Sequence, residues 1–232
     1  MTTTDTNTIN IEARIGEGIY LVKDVSKILG LDYEKVYRWI LGYWTGNLQN
    51  HYNYTFGEQN NRAINFYSLI EFYTFFKLRE KGLSTSEIRK LHSELSDLLK
   101  TPYPFAIAQD YYIETRKTKN TKKAFVYYTY LESTIKRSKK KQFSFDFVKK
   151  FLEKIEFDEN NLASRFFPLH DSKNVVVDPK HQFGQPVING TNIKTQTIFN
   201  LYRGGESLEN LSILYNISID KVQDAITFQN AA

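Results

Sequence analysis

The segment Gly18-Ile-Tyr-Leu-Val-Lys-Asp-Val-Ser-Lys-Ile-Leu-Gly-Leu-Asp-Tyr-Glu-Lys-Val-Tyr-Arg-Trp-Ile40 constrains the fold more than any other part of the chain. Leu21, Val25, Ile28 and Leu29 recur at helical spacing, so a short amphipathic helix is expected to bury that face. Gly30 supplies the left-handed residue that closes such a helix, and Asp32 is suited to cap the next one. The second helix then turns Val36 and Ile40 inward and leaves Tyr33, Lys35, Tyr37 and Arg38 outside. Two short helices joined at a glycine turn, the second basic and aromatic on its outer face, are the layout of a DNA-reading helix-turn-helix. The same layout also serves as a plain packing unit.

A chain of 232 residues can bury a core as one large domain or two small ones, and an apolar fraction of 41% excludes a disordered protein. No apolar run approaches the roughly 20 residues that cross a bilayer, so no membrane association is expected. The threonine-rich start has neither the basic nor the apolar part of a secretory signal, and residues 1–17 are expected to form a flexible tail. Without cysteine there are no disulfides or thiolate zinc sites, which makes a cytoplasmic location the expectation.

Charge is concentrated. Between Glu114 and Lys150 twelve basic residues face three acidic ones, a local net of +9 in a chain of +5, so the remainder sums to −4. A basic segment in an otherwise acidic chain suits a polyanion, because each neutralised phosphate releases condensed counterions. A solvated lysine-rich loop is the plainer reading of the same residues.

The pattern along the chain is mainly α. Leu41 to Arg62, rich in Asn, Gly and Tyr, is expected to be a loop or small β-wing. Ile64 to Lys81 reads as a helix with Leu69, Phe72, Phe76 and Leu78 buried, and its Phe72–Phe76 stretch is a candidate dimer surface. Ser84 or Thr85 caps a further helix marked by Ile88, Leu91, Leu95 and Leu98, which Pro102 and Pro104 stop. Ile107 to Tyr130 alternates as a β-hairpin with the basic tip Lys117-Thr-Lys-Asn-Thr-Lys-Lys123, and Phe143 to Ile155 reads as a helix. Beyond Arg165 come a short strand at Asn174–Asp178 and the tight turn Phe183-Gly-Gln-Pro-Val-Ile-Asn-Gly-Thr191. Three helices follow, at Thr195–Tyr202, Leu208–Tyr215 and Ile219–Phe228. They form a trihelical, helix-turn-helix-like module with Val222, Ala225 and Ile226 inward and Asp220, Lys221, Gln223 and Asp224 outward.

No phosphate-binding glycine loop and no nucleophile elbow is present. His92 is expected on a solvated helix surface. His170 and His181 lie near Asp171 and Asp178 without a third ligand, so no metal, cofactor or catalytic site is expected and the chain reads as a non-enzyme.

The helix-turn-helix followed by Ser68-Leu-Ile-Glu-Phe72, Leu78-Arg-Glu-Lys-Gly-Leu-Ser84, Pro102-Tyr-Pro-Phe-Ala106 and Phe183-Gly-Gln-Pro-Val-Ile188 resembles VapB-type antitoxins. The branch in question pairs a MerR-like N-terminal domain with a small C-terminal domain of unknown function. The resemblance covers nearly all of the chain beyond the tail, including Gly205-Glu-Ser207 and Val222 to Phe228. After the flexible tail over 1–17, it implies a MerR-like DNA-binding region with a small β-hairpin over 18–105, a basic hairpin and linking helix over 106–165, and the trihelical module over 166–232. It also implies an antitoxin that binds and neutralises a PIN-like ribonuclease toxin encoded beside it, and that represses their shared operon. The expected partners are a double-stranded DNA operator, the toxin and a second copy of the chain in a homodimer.

Contacts to DNA are expected from Tyr33, Lys35, Tyr37 and Arg38 on the helix and from Lys117, Lys119, Lys122 and Lys123 at the hairpin tip. Arg165 and Arg203 are candidates for the toxin, whose clustered carboxylates would welcome a cation. Two other functions fit the same surfaces: a MerR-like regulator answering a small ligand in a tyrosine-lined cavity, and a DNA-bending recombination accessory protein.

Overall fold

A computed structural model of the chain describes residues 9–10, 16–43, 52–57, 61–80, 82–107, 110–112, 115–118, 121–124, 127–129 and 153–231, the strands between 110 and 129 by backbone alone. The fold is mainly α with small strand pairs, as expected. Among the described residues the helices are α1 (Val22–Leu29), α2 (Tyr33–Arg38), α3 (Phe66–Glu80), α4 (Thr85–Leu99), α5 (Thr195–Arg203), α6 (Leu208–Tyr215) and α7 (Ile219–Asn230). They gather into two compact units that do not follow chain order: residues 1–69 with 165–232, and residues 70–164.

In the first unit Tyr20–Leu21 leads into α1 and pairs antiparallel with Ala63–Ile64, Tyr20 opposite Ile64. This fixes the entry to α1 beside the entry to α3, where the Phe66 amide donates to the Glu17 carbonyl at 2.8 Å. The Asn65 side chain donates to the Glu17 carboxylate at 3.1 Å and accepts from the Ser68 amide at 2.9 Å. The expected tail is therefore partly structured: Glu17 is anchored, and Ile9–Asn10 pairs in parallel with Tyr52–Asn53. The remainder of that segment, 1–8 and 11–15, lies outside the described residues, as does half of the expected loop or wing, 44–51 and 58–60.

The C-terminal helices of the same unit enclose Ile188, Ile198, Leu211, Val222, Ala225 and Ile226. Ser207 caps α6 by accepting the Asn210 amide at 3.1 Å. Asn216, at φ 51°, closes that helix, and Ser212 donates to the Ile217 carbonyl at 2.6 Å to hold the turn into α7. Two of the four α7 residues expected to face outward are instead half-buried fasteners. Lys221 Nζ donates to the Asn189 carbonyl at 2.8 Å, and Asp224 accepts from Ser172 and Asn174 at 2.5 and 2.8 Å. Both secure the irregular segment that precedes α5.

Two contacts join the N-terminal helices to this module and explain why the unit is discontinuous in sequence. Lys27 Nζ, on α1, donates to Gln229 Oε1 on α7. Gln229 in turn donates to Thr195 Oγ1 at 2.7 Å, which donates to the Pro186 carbonyl at 3.2 Å. Burial lowers the Lys27 ammonium below its usual range, with Asp24 pulling it partly back. The second contact seats the Tyr20 ring against Gly184.

The second unit holds the remainder of α3, all of α4, the 3-10 turn Pro104–Ala106 and the hairpin. Ser84 and Glu87 cap α4 reciprocally: Ser84 Oγ accepts the Glu87 amide at 3.2 Å and Glu87 accepts the Ser84 amide at 2.8 Å. Phe72, Phe75, Phe76, Leu78, Ile88, Leu91, Leu95 and Phe105 are all buried. That burial within one chain removes Phe72–Phe76 as a dimer surface. His92 corrects another expectation: it is 1% exposed, with Nε2 3.0 Å from the buried Glu71 carboxylate. Most of the helix expected over Phe143–Ile155 lies outside the described residues, and Ile155 itself opens a strand, Ile155–Phe157.

Candidate nucleic-acid interface

The helix-turn-helix is built as its residues dictate. The Leu21 amide donates to Asp24 at 3.0 Å at the head of α1, while Val22, Val25 and Ile28 are buried. Gly30 adopts φ 61° and ψ 40°, and the turn closes through the Leu31 amide on the Ser26 carbonyl at 3.0 Å and the Ser26 hydroxyl on the Leu31 carbonyl at 2.6 Å. Asp32 caps α2 by accepting the Lys35 amide at 2.9 Å. Val36 and Ile40 are fully buried, and a π-helical turn, Trp39–Tyr43, carries the chain on.

The outer face of α2 is then Tyr33, exposed to 47%, and exposed Arg38, with half-buried Lys35 and Tyr37 between them. The Tyr33 and Tyr37 rings stack with centroids 6.1 Å apart. Arg38 Nε donates to the Glu34 carbonyl at 3.2 Å, which lays its stem along the helix while its guanidinium carries further N–H donors. An aromatic pair beside an exposed guanidinium is chemistry suited to bases and phosphates.

The basic hairpin is present as two antiparallel pairings, Thr115–Thr118 with Thr121–Ala124 and Asp110–Tyr112 with Tyr127–Thr129. Its register sets Lys117 opposite Lys122 and Arg116 opposite Lys123. Like charges directly opposite each other weaken a strand pair, and a polyanion relieves that repulsion. Lys119, also expected to touch DNA, lies outside the described residues.

The two arginines expected to meet a partner differ sharply. Arg165 is committed internally: its Nη2 donates to Asn189 at 2.6 Å, its Nε lies 3.7 Å from Asp178, and its guanidinium sits 5.6 Å over the Phe167 ring. Arg203 is exposed in the last turn of α5, where a cation also suits the helix dipole.

A pocket of about 300 Å³ beside Arg165 is lined by Asp178, His181, Thr191 and Asn192 among others, with no tyrosine. His181 and His170 pair with Asp178 and Asp171, each at 2.9 Å, and no group of three metal-ligating side chains occurs among the described residues. None of the described helices is long and apolar enough to cross a membrane.

Sequence reasoning missed the polar contacts of Glu71, His92, Lys27 and Gln229. One signal was present, since the carboxylate of Glu71 stands between Leu69-Ile70 and Phe72-Tyr73 on the apolar stretch of its helix.

Comparison with known proteins matches residues 175–228 to a family described as "Protein of unknown function (DUF433)". Over 82 residues the chain is 30% identical to a Mycobacterium tuberculosis (strain ATCC 25618 / H37Rv) protein named "Putative antitoxin VapB45". That alignment takes in 35% of this chain and 34% of the relative, so the chain matches about a third of the relative's length. The similarity to an antitoxin is thus shown for part of the chain. The crystal structure of Rv2018 from Mycobacterium tuberculosis shares the fold, with a TM-score of 0.65, 17% identity, and coverage of 94% of this chain and 100% of that one.

Proposed function

We propose that the chain is a DNA-binding antitoxin, which neutralises a PIN-like ribonuclease toxin by direct binding and represses their shared operon. The observation that carries the DNA half is the α1–α2 pair: a hydrogen-bonded, capped turn presenting the exposed Tyr33 and Arg38 beside the half-buried Tyr37 on one helix face. The like-charged register of the hairpin supports a second polyanion contact. The toxin half is supported by the partial identity to an antitoxin. Because one short helix reads few base pairs, the chain acts as a two-fold dimer with half-sites one helical turn apart, about 34 Å. The alternative is a MerR-like regulator that answers a small ligand and has no toxin partner.

The reading as a whole is tested by co-expressing the chain with the product of the adjacent ribonuclease-like reading frame. Growth rescue and a stable complex are expected, together with a specific shift of the operon's own promoter DNA. Loss of both overturns it.

Within the DNA half, Arg38→Ala is expected to weaken operator binding by about 1–3 kcal/mol while sparing random-sequence DNA, as for a bidentate contact to guanine. Fluorescence anisotropy on both duplexes reads this directly. Equal loss on both would assign Arg38 to phosphate, and no loss would take α2 out of the groove.

The hairpin is tested by salt. Neutralising Lys117 and Lys122 together should make the slope of log affinity against log salt shallower by about 2, given roughly 0.9 per phosphate released. An unchanged slope would make the tip a bystander.

A further inference from the structure

Seven large apolar side chains stand exposed among the described residues, and four of them, Tyr202, Ile213, Leu214 and Ile219, belong to the α5–α7 module. Ile213 and Leu214 are exposed to 80% and 67%. On α6 the buried residue is Leu211, with Leu208, Ser212 and Tyr215 half-buried. Glu209 and Asn210 therefore lie one turn before Ile213 and Leu214 on the outer stripe, at i,i+4 spacing. The left-handed turn at Asn216 ends α6, and Ile219 and Asp220 follow it, both exposed, at the head of α7. The edges of this apolar patch are charged. Over 202–220 the charged residues are Glu206, Glu209 and Asp220 against Arg203, a net of −2, and Lys221, which follows, is half-buried with its ammonium on the Asn189 carbonyl.

That combination selects the partner. An apolar centre within a polar rim is the anatomy of a protein contact. An acidic rim repels nucleic acid, so this face is not a third DNA contact. A second copy of the chain would bring Glu209 and Asp220 against their own likeness, which electrostatic complementarity disfavours. A surface ringed by lysine and arginine fits, and a ribonuclease must present such a ring, outside the carboxylates of its cleft, to hold the phosphates of RNA. We propose that the outer face of α6, Ile213 and Leu214 with Ile219, edged by Glu206, Glu209 and Asp220, docks on the basic RNA-holding face of the ribonuclease partner. The inference rests on the toxin–antitoxin reading and adds to it how neutralisation works: the acidic rim takes the place of RNA phosphates, so inhibition is competitive with RNA.

The test uses the full chain and the purified product of the adjacent ribonuclease-like reading frame, in isothermal titration. Ile213→Asp with Leu214→Asp is expected to weaken binding by about 100-fold, in keeping with the loss of hot-spot side chains. Operator affinity and melting temperature should be unchanged, since both side chains are exposed. Glu209→Lys with Asp220→Lys should weaken binding by about tenfold and remove most of its salt dependence. Wild-type binding with undiminished binding by the Asp variant would overturn this surface and leave the antitoxin reading standing. A change in oligomeric mass in the Asp variant, with nuclease affinity intact, would make the patch a self-interface and overturn the proposal. Absence of wild-type binding to the product of either adjacent frame would bring down the antitoxin reading and this proposal with it.

Discussion

Replacing His92 with alanine is expected to destabilise the chain by about 3–5 kcal/mol, the cost of breaking a buried ionisable pair from one side. Glu71 is fully buried in α3, with one carboxylate oxygen 3.0 Å from His92 Nε2. Its other oxygen accepts the amides of Phe105 and Ala106 at 2.7 and 3.0 Å. The His92 ring also meets the Phe105 ring edge-on at 5.2 Å. The group therefore fastens the turn Pro104–Ala106, from which the chain passes to the basic hairpin, onto α3 and α4. Removing the imidazole leaves the buried Glu71 carboxyl without that partner. Urea denaturation at neutral pH reads the loss, and a change below about 1 kcal/mol would show that the pair carries little of the unit's stability.

A pH dependence follows from the same group. Burial raises the Glu71 carboxyl above its ordinary 4.5, while His92 and the two amides pull it back. A raised folded value means the native chain keeps this proton longer than the unfolded chain does. Its contribution is complete below the ordinary value and fades as pH rises through the folded one. The cost of Glu71→Gln, which cannot ionise, should accordingly shrink as pH rises from about 4.5. A cost that grows over that range would show that the carboxylate is bound as the anion more tightly than burial opposes it.

Gly184→Ala is expected to cost about 2–4 kcal/mol, from roughly 1–3 for overpacking and about 1 for an alanine forced to positive φ. Gly184 sits at φ 81°, and a Cβ there would fall 2.1 Å from Tyr20 Oη, 2.7 Å from its Cζ and 3.3 Å from Gly18 Cα. Tyr20 is fully buried, so its ring has no room to swing aside. Its hydroxyl has no hydrogen-bond partner among the described residues. Burial first, then the charges of Asp178 and Asp24, hold the phenol above the usual tyrosine range, so it stays protonated. Tyr20→Phe alone should therefore be close to neutral, since it removes an unsatisfied polar atom. Combined with Gly184→Ala it should restore part of the loss, the remaining clash being at Cζ. A double-mutant cycle on thermal melts measures this coupling, and strict additivity would place the two residues out of contact. Because Tyr20 is the residue that leads into α1, Gly184→Ala should also weaken operator binding.

This second result bears on how the chain is divided. Consecutive domains over 18–105, 106–165 and 166–232 are the natural reading of the sequence, yet the Gly184–Tyr20 and Gln229–Lys27 contacts fold the helix-turn-helix and the trihelical module into one unit. A fragment ending at residue 165 would lack both contacts.

What the sequence determined by itself is the local part of this protein. Gly30 and Asp32 stop one helix and start the next, Ser84 with Glu87 and Ser207 begin two others, and the spacing of Val22, Val25, Ile28, Val36 and Ile40 decides which faces go inward. Each of these choices is settled within a few residues by backbone hydrogen bonds and side-chain periodicity, although on α1 the buried face is turned slightly from the expected one. Val22 is buried and was not expected inward, while Leu21 and Leu29, which were, are half-buried. The alternation and charge of the hairpin were legible for the same reason. Tertiary structure alone decided the remainder. Lys27 and Gln229 lie 202 residues apart, Tyr20 meets a glycine from the far end of the chain, and Glu71 finds its histidine on the neighbouring helix. No periodicity links such partners, because what joins them is the need to pair polar groups or fill space once the helices have packed. The same packing tied the half-buried Arg165 to Asn189 and Asp178 and left Ile213 and Leu214 outside, although composition alone would leave the arginine free on the surface and place the two aliphatic side chains in the core.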